Sequence, residues 1–326
     1  MTPTEDSNVN QTSLSRREML QTSAVAAAGA VTASLSQADE QQKAVESGWI
    51  DAHSHIWTRD VERFPLAEGQ TVADLAPPSF TAEELLEVAG KENVTRVVLI
   101  QHHIYHGWDN SYLIWAAKEH PKTFRVVGMV DDTQPHPDQK MRELLPQRVT
   151  AFRITSGIRG AKDWLSGPGM TAMWKCAAET GQAICCLINP EDLPAVNAMC
   201  QKHPDTPVVI DHFARVGIDG TIREGDLKQL CALAKYPKTS LKVSAYYALG
   251  KKQPPHLELV PMIRRVLDAF GSERCMWASD CPYQLGGSNT YHDSIALIRD
   301  RLDFLSDADR ENLLRRTAER VYFYDA

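Results

Sequence analysis

Short apolar runs alternate with longer amphipathic stretches from residue 49 to the end of the chain. The runs at 49–53, 94–101, 124–131, 149–155, 183–188, 207–212, 240–245 and 274–279 have the length of buried strands. Between them, helical patterns fall near 81–92, 110–120, 138–145, 169–181, 190–203, 223–236, 256–271 and 291–304, and one more at about 307–320 closes the chain. Start signals support several of these. Thr81 with Glu84 forms a capping box, Asn189 followed by Pro190 sets an N-cap and first turn, and Asp109 with Asn110 opens the helix after the second strand. Eight strands, each followed by a helix, predict a (β/α)8 TIM barrel. A doubly wound sheet is the rival, but it carries about five to seven strands and a glycine-rich first turn. Here the first turn holds His53-Ser54-His55. No internal repeat divides the pattern, so one domain is expected. The long, proline-containing stretch from Thr58 to Ser79 is expected to form a loop over the barrel mouth.

The first 47 residues break the pattern. Ser15-Arg16-Arg17-Glu18-Met19-Leu20 resembles a twin-arginine export signal, and no charge follows from Met19 to Ala38. Ser36-Gln37-Ala38 places small residues where a signal peptidase reads. The expected layout is a cleavable twin-arginine signal peptide at 1–38, a polar linker at 39–47 and the barrel at 48–326. That implies handling by the twin-arginine (Tat) export machinery and a periplasmic or extracellular destination. This route carries proteins already folded, often with a metal installed. The alternative is an Ala/Ser-rich tail with a chance arginine pair. The apolar run is too weak for a stable membrane anchor.

Composition adds mainly exclusions. The chain is 43% hydrophobic and 24% charged, as in ordinary globular proteins, and a net charge of −7 without a basic stripe argues against nucleic-acid binding. Seven cysteines without CxxC spacing do not make a disulfide framework, and only Cys281 stands near the suspected chemistry.

In such barrels chemistry sits at the C-terminal strand ends. The first strand ends in His53 and His55, whose i, i+2 spacing directs both imidazoles to one face, where they can clamp a divalent cation. The second ends in Gln101-His102-His103, the fourth carries Arg153, and the sixth ends in Asp211-His212 with Arg215 beyond. The seventh supplies Ser244 and Tyr246, and the eighth ends in Ala278-Ser279-Asp280-Cys281-Pro282. Imidazole, carboxylate and guanidinium groups gather at these ends while strand interiors stay apolar. Packing alone does not explain that.

With His53-Ser54-His55-Ile56-Trp57, Arg63-Phe64-Pro65-Leu66, Asp211-His212 followed by Arg215, Ala278-Ser279-Asp280-Cys281-Pro282 and Glu319-Arg320-Val321-Tyr322, residues 49–324 resemble the amidohydrolase superfamily. More narrowly they are similar to the amidohydrolase-2 group of sugar lactonases and 2-pyrone-4,6-dicarboxylate lactonase. The resemblance implies a hydrolase that opens a lactone, or another carboxylic ester, of a small acidic substrate by water attack. Asp280 and His212 would be catalytic, with Asp280 as general base. His53, His55, His212 and Asp280 would hold one divalent metal, zinc or manganese. No metal at all is the other option, since some members of the group work without one. Many binuclear relatives carry a bridging lysine or glutamate at the fourth strand. Arg153-Ile154-Thr155 stands there instead, so one metal is the maximum. Arg153 and Arg215 would fork onto the substrate's acid group, with His102, His103, Tyr246 and Trp57 as further contacts. Each residue has a plainer alternative. Asp280 could cap a helix, His212 could be a hydrogen-bonded barrel residue, the arginines could pair with internal acids, and Trp57, Trp108 and Trp115 could be packing. Two rival functions remain, a non-oxidative decarboxylase of the same superfamily and a barrel that binds without catalysis.

Overall fold

Residues 47–158 and 164–324 are described by the computed structural model. The expected signal peptide and nearly all of the linker lie outside them. Eight parallel strands pair in chain order: β1 (Trp49–Ser54), β2 (Val94–Ile100), β3 (Phe124–Gly128), β4 (Val149–Thr155), β5 (Ala183–Leu187), β6 (Val208–Ile210), β7 (Thr239–Ser244) and β8 (Cys275–Ala278). Helices follow the strands in alternation, among them Ala82–Gly90, Ser111–Glu119, Pro168–Thr180 and Val260–Phe270. The expected capping box at Thr81 forms, with Glu84 N–H donating to Thr81 Oγ1 (3.3 Å) and Thr81 N–H to Glu84 Oε2 (2.6 Å).

The sheet curls into a nearly closed barrel. Its seam joins β1 to β8 through a parallel bridge between Ser54 and Cys281, with His55 N–H donating to Cys281 O (2.7 Å) and Asp280 N–H to His53 O (2.8 Å). A fully buried carboxylate pins this seam. Asp51 accepts from the backbone N–H of His53 (3.1 Å) and Ser279 (2.8 Å), and from the hydroxyls of Ser54 (2.7 Å) and Tyr291 (2.8 Å). Inside the barrel, small and branched residues such as Ala52, Val98, Ala151, Ala183 and Val209 pack together, and Ala318 and Tyr322 of the closing helical segment join them. A larger apolar layer fills the space between strands and helices.

Two strands stop earlier than their apolar runs predict. β3 ends at Gly128 because the Asn110 amide takes over the next backbone groups, accepting from Met129 N–H (2.8 Å) and donating to Met129 O (2.9 Å). Asn110 therefore ties down a strand end, and its side chain does not cap the helix that follows. β6 ends at Ile210 because the chain then enters four consecutive left-handed residues, His212 to Arg215, with φ between 51° and 55°. The Thr58–Ser79 segment is a loop closed at its base by paired backbone bonds between Trp57 and Phe80. It packs on the segment after β2, through Ala67 N–H to Tyr105 O (2.7 Å), and gives no residue to the main cavity. All seven cysteines are free. Among the described residues no helix is long and apolar enough to cross a membrane.

Candidate active site

A cavity of about 360 Å³ opens at the C-terminal end of the barrel. Of the residues expected there, His55, His102, His103, Arg153, His212, Arg215 and Asp280 line it. His53 lies just beneath, fully buried. Asp280 is placed by a left-handed turn (φ 62°) directly after β8, which swings its carboxylate across the seam toward β1.

Three donor atoms converge. His53 Nε2 and His55 Nε2 are 3.3 Å apart, and Asp280 Oδ1 is 3.4 Å from each. Ligand atoms about 2.0–2.1 Å from one tetrahedral ion are separated by about 3.3–3.4 Å, so this triangle has the dimensions of one face of such a site. His55 Nδ1 lies 2.8 Å from Ile100 O. The carbonyl can only accept, so Nδ1 carries the proton and the Nε2 lone pair faces the cluster. His212 stands apart from this triangle, with Nε2 3.7 Å from the other carboxylate oxygen, Oδ2, and Nδ1 2.8 Å from Ser244 Oγ. It groups with His53 and Asp211. The four expected metal ligands therefore divide into a converging three and a neighbour. Arg153 Nη2 sits 2.7 Å from His53 Nε2, so a cation in the triangle has to displace the guanidinium from that lone pair.

The floor holds one group that the sequence did not single out, Lys242. Lys242, fully buried in β7, lies 3.0 Å from Asp211 Oδ1 and 3.2 Å from His53 Nδ1. Arg153 Nη2 lies 3.4 Å from Asp211 Oδ2. Arg153 thus lines the cavity and also pairs with an internal acid, while its Nε has no partner among the described residues. Arg215 is the freer guanidinium. It makes one long hydrogen bond, to Asn189 Oδ1 (3.4 Å), and no ion pair among the described residues.

Burial governs the protonation states. It lowers His53 well below the usual imidazole value, helped by Lys242, and lowers His55, while His212 falls to about 4. Burial alone would raise Asp280, but the imidazoles of His212, His55 and His53 hold its carboxyl below the ordinary range. Asp211 is likewise raised by burial yet held well below that range, chiefly by Lys242. Burial thus shifts the imidazoles toward their neutral form, and the surrounding imidazoles shift Asp280 toward its ionised form.

Two expected contacts are placed elsewhere. Trp57 is fully buried behind the site, packed against His102, Tyr105 and Tyr283, with Nε1 donating to Pro77 O (2.7 Å). Tyr246 turns back into the barrel wall, its hydroxyl donating to Val243 O (2.8 Å). The next residue takes the position instead. Tyr247 lines the cavity and donates to Asp280 Oδ2 (2.7 Å), and Tyr283, also in the lining, bonds His102 Nε2. Trp108 and Trp115 do not line this cavity.

Comparison with known proteins bears on the family and the fold. L-fucono-1,5-lactonase of Burkholderia ambifaria is 28% identical over 242 residues, covering 72% of this chain and 80% of that one. The 4-sulfomuconolactone hydrolase of Rhizobium radiobacter is 25% identical over 245 residues, covering 74% and 77%. A solved amidohydrolase from Burkholderia multivorans with bound zinc has the same fold, with a TM-score of 0.68 at 21% identity over 86% of this chain and 100% of that one. The amidohydrolase family profile matches residues 50–324, and this chain is an enzyme of that family.

Proposed function

We propose that this protein hydrolyses a lactone, or another carboxylic ester, of a small acidic substrate by attack of water. The observation that carries the reading is the Asp280 carboxylate, 3.4 Å from two imidazole nitrogens in a cavity also lined by Arg153 and Arg215. Asp280 takes the proton of the attacking water at Oδ1, while Tyr247 fixes Oδ2 so that the carboxylate does not turn away. His212 and Arg153, both in the cavity lining, meet the negative charge that develops on the carbonyl oxygen. Arg215 receives the substrate's own acid group, which explains a guanidinium at the cavity edge with no internal carboxylate. His53, His55 and Asp280 would hold one divalent cation, zinc or manganese, with His212 beside them. When bound, such a cation supplies Lewis acidity at this end of the cavity. The lactonase names of the relatives support the same reaction class.

Elemental analysis together with turnover tests this. The parent should carry about one zinc or manganese per chain, and the double variant His53→Ala, His55→Ala should carry none. Each lactone opened should release one proton and no CO₂, and Asp280→Asn should lose about 10³-fold in kcat while staying folded. Release of CO₂ would instead identify a decarboxylase. Ligand binding without turnover in the parent would identify a binding barrel.

Export by the twin-arginine route to the periplasm or beyond belongs to the same proposal, on the strength of Arg16-Arg17 and the uncharged stretch after them. Replacing both arginines by lysine should retain the protein in the cytoplasmic fraction. Unchanged export would remove this part.

A further inference from the structure

Arg215 stands between two cavities. It lines the catalytic one, and it also lines an outer one of about 440 Å³, together with Glu191, Asp219 and Asp226. A guanidinium beside so many carboxylates is expected to fork onto one of them. It does not. Among the described residues Arg215 makes no ion pair, and its one side-chain hydrogen bond runs from Nη1 to Asn189 Oδ1 at 3.4 Å. Asp219 is taken by Arg223 at 2.6 Å. The other end of the Asn189 amide holds Glu191, with Nδ2 donating to Glu191 Oε1 at 3.2 Å. A guanidinium can only donate and a carboxylate can only accept, so the amide oxygen has to face Arg215 and the amide nitrogen Glu191. The backbone beneath is held as well. Asn189 lies between the end of β5 and the helical turn Pro190–Asp192, and its N–H donates to the buried Asp192 carboxylate (3.1 Å), which also accepts from the Ser156 hydroxyl (2.8 Å). A neutral side chain is thus fixed between an arginine and a glutamate that share the wall of one cavity. A direct contact between those two would leave a substrate's acid group to displace an internal carboxylate.

We infer that Asn189 is a positioning residue that holds Glu191 off Arg215 and so keeps the guanidinium's charge for the acid group of the substrate. This rests on the lactonase reading above and on the part it gives Arg215, and adds the residue that sets the preference for a charged over an uncharged substrate.

The purified full-length protein is assayed in a pH-stat with two probes of one ring, γ-butyrolactone-γ-carboxylate and γ-butyrolactone-γ-carboxamide. The parent should favour the carboxylate by about tenfold in KM, the scale of one hydrogen-bonded charge. Asn189→Ala should lose about fivefold of that preference, the most that an exposed ion pair such as Arg215 with Glu191 contributes, and adding Glu191→Gln should restore it. Asn189→Asp matches the native side chain in size and sets a carboxylate directly on Arg215. It should lose at least as much, Glu191→Gln should not restore it there, and it decides the matter should the alanine variant not fold. A preference unmoved by the Asn189 variants, or a loss in Asn189→Ala that Glu191→Gln leaves in place, overturns the inference. No preference for the carboxylate in the parent overturns the role of Arg215 and the inference with it. If neither ring is opened, the lactonase reading fails, and dissociation constants of the same two probes, measured by calorimetry, take the place of KM in judging Asn189.

Discussion

Asp280 is held at both oxygens and along its backbone. Oδ1 faces two imidazoles at 3.4 Å, Oδ2 takes the Tyr247 hydroxyl at 2.7 Å, and the left-handed backbone fixes where the carboxylate begins. A hydrogen bond to a charged group contributes about 1.5–3 kcal/mol. Tyr247→Phe should therefore lower kcat by about 10- to 100-fold, with a smaller change in KM and little change in Tm, measured by steady-state kinetics and thermal unfolding. An unaltered kcat would show that the carboxylate needs no such support. Residue types at strand ends led directly to Asp280, His53 and His55. They led to Tyr246 where Tyr247 was needed, and the reason is local. Side-chain alternation can be followed only while the backbone stays extended. Ala245 is left-handed (φ 56°) between β7 and the tyrosines, so counting by twos fails there.

At the scale of the element, β7 was legible as a strand but its buried cation was not. In Thr239–Ser244 a lone lysine reads as the solvated side of an alternating strand. The barrel has no solvated side, and Lys242 is enclosed between Asp211 above and the Tyr322 ring, 5.5 Å away. What it does there is offset a buried negative charge. Breaking a buried pair from one side costs about 3–5 kcal/mol, because the surviving charge is left uncompensated. Lys242→Met should destabilise the fold by an amount of that order, reduced here by the remaining Arg153 contact at 3.4 Å. Adding Asp211→Asn should recover part of the loss. Urea unfolding followed by tryptophan fluorescence measures both, and a double variant no more stable than Lys242→Met alone would contradict the pairing. The shortened β6 teaches a related lesson. The predicted strand runs on to His212, but a left-handed turn of four residues costs about 1–2 kcal/mol each and leaves no trace in hydropathy.

For the whole molecule, barrel order was readable because eight apolar runs and their intervening helices keep one rhythm. The seam was not readable, since the fully buried Asp51 looks like any polar residue beside two histidines. The gathered imidazoles set the acid response of the fold. Burial lowers His53, His55, His102, His103 and His212, with His103 and His212 at about 4 and His102 at about 2. Unfolded histidine titrates near 6.5, so the unfolded chain binds more protons below that value. This contribution to stability is complete above pH 6.5 and is lost as pH falls from there through about 4. The depressed Asp211 adds a further loss below the ordinary carboxylate value of 3.8. Urea unfolding at pH 7.5, 6 and 5 should show a steady decline, and a flat profile would mean the imidazoles are already protonated when folded. The seam has a kinetic consequence as well. His53 comes from the first strand of the barrel, His55 from just after it and Asp280 from just after the last strand, more than 200 positions along the chain. Contacts at such separation form late, since the intervening loop must be ordered first. In a refolding experiment helical ellipticity should return before catalytic activity, and an enzyme lacking its final strand should have no residual turnover, only the remnant of a barrel that never met its own beginning.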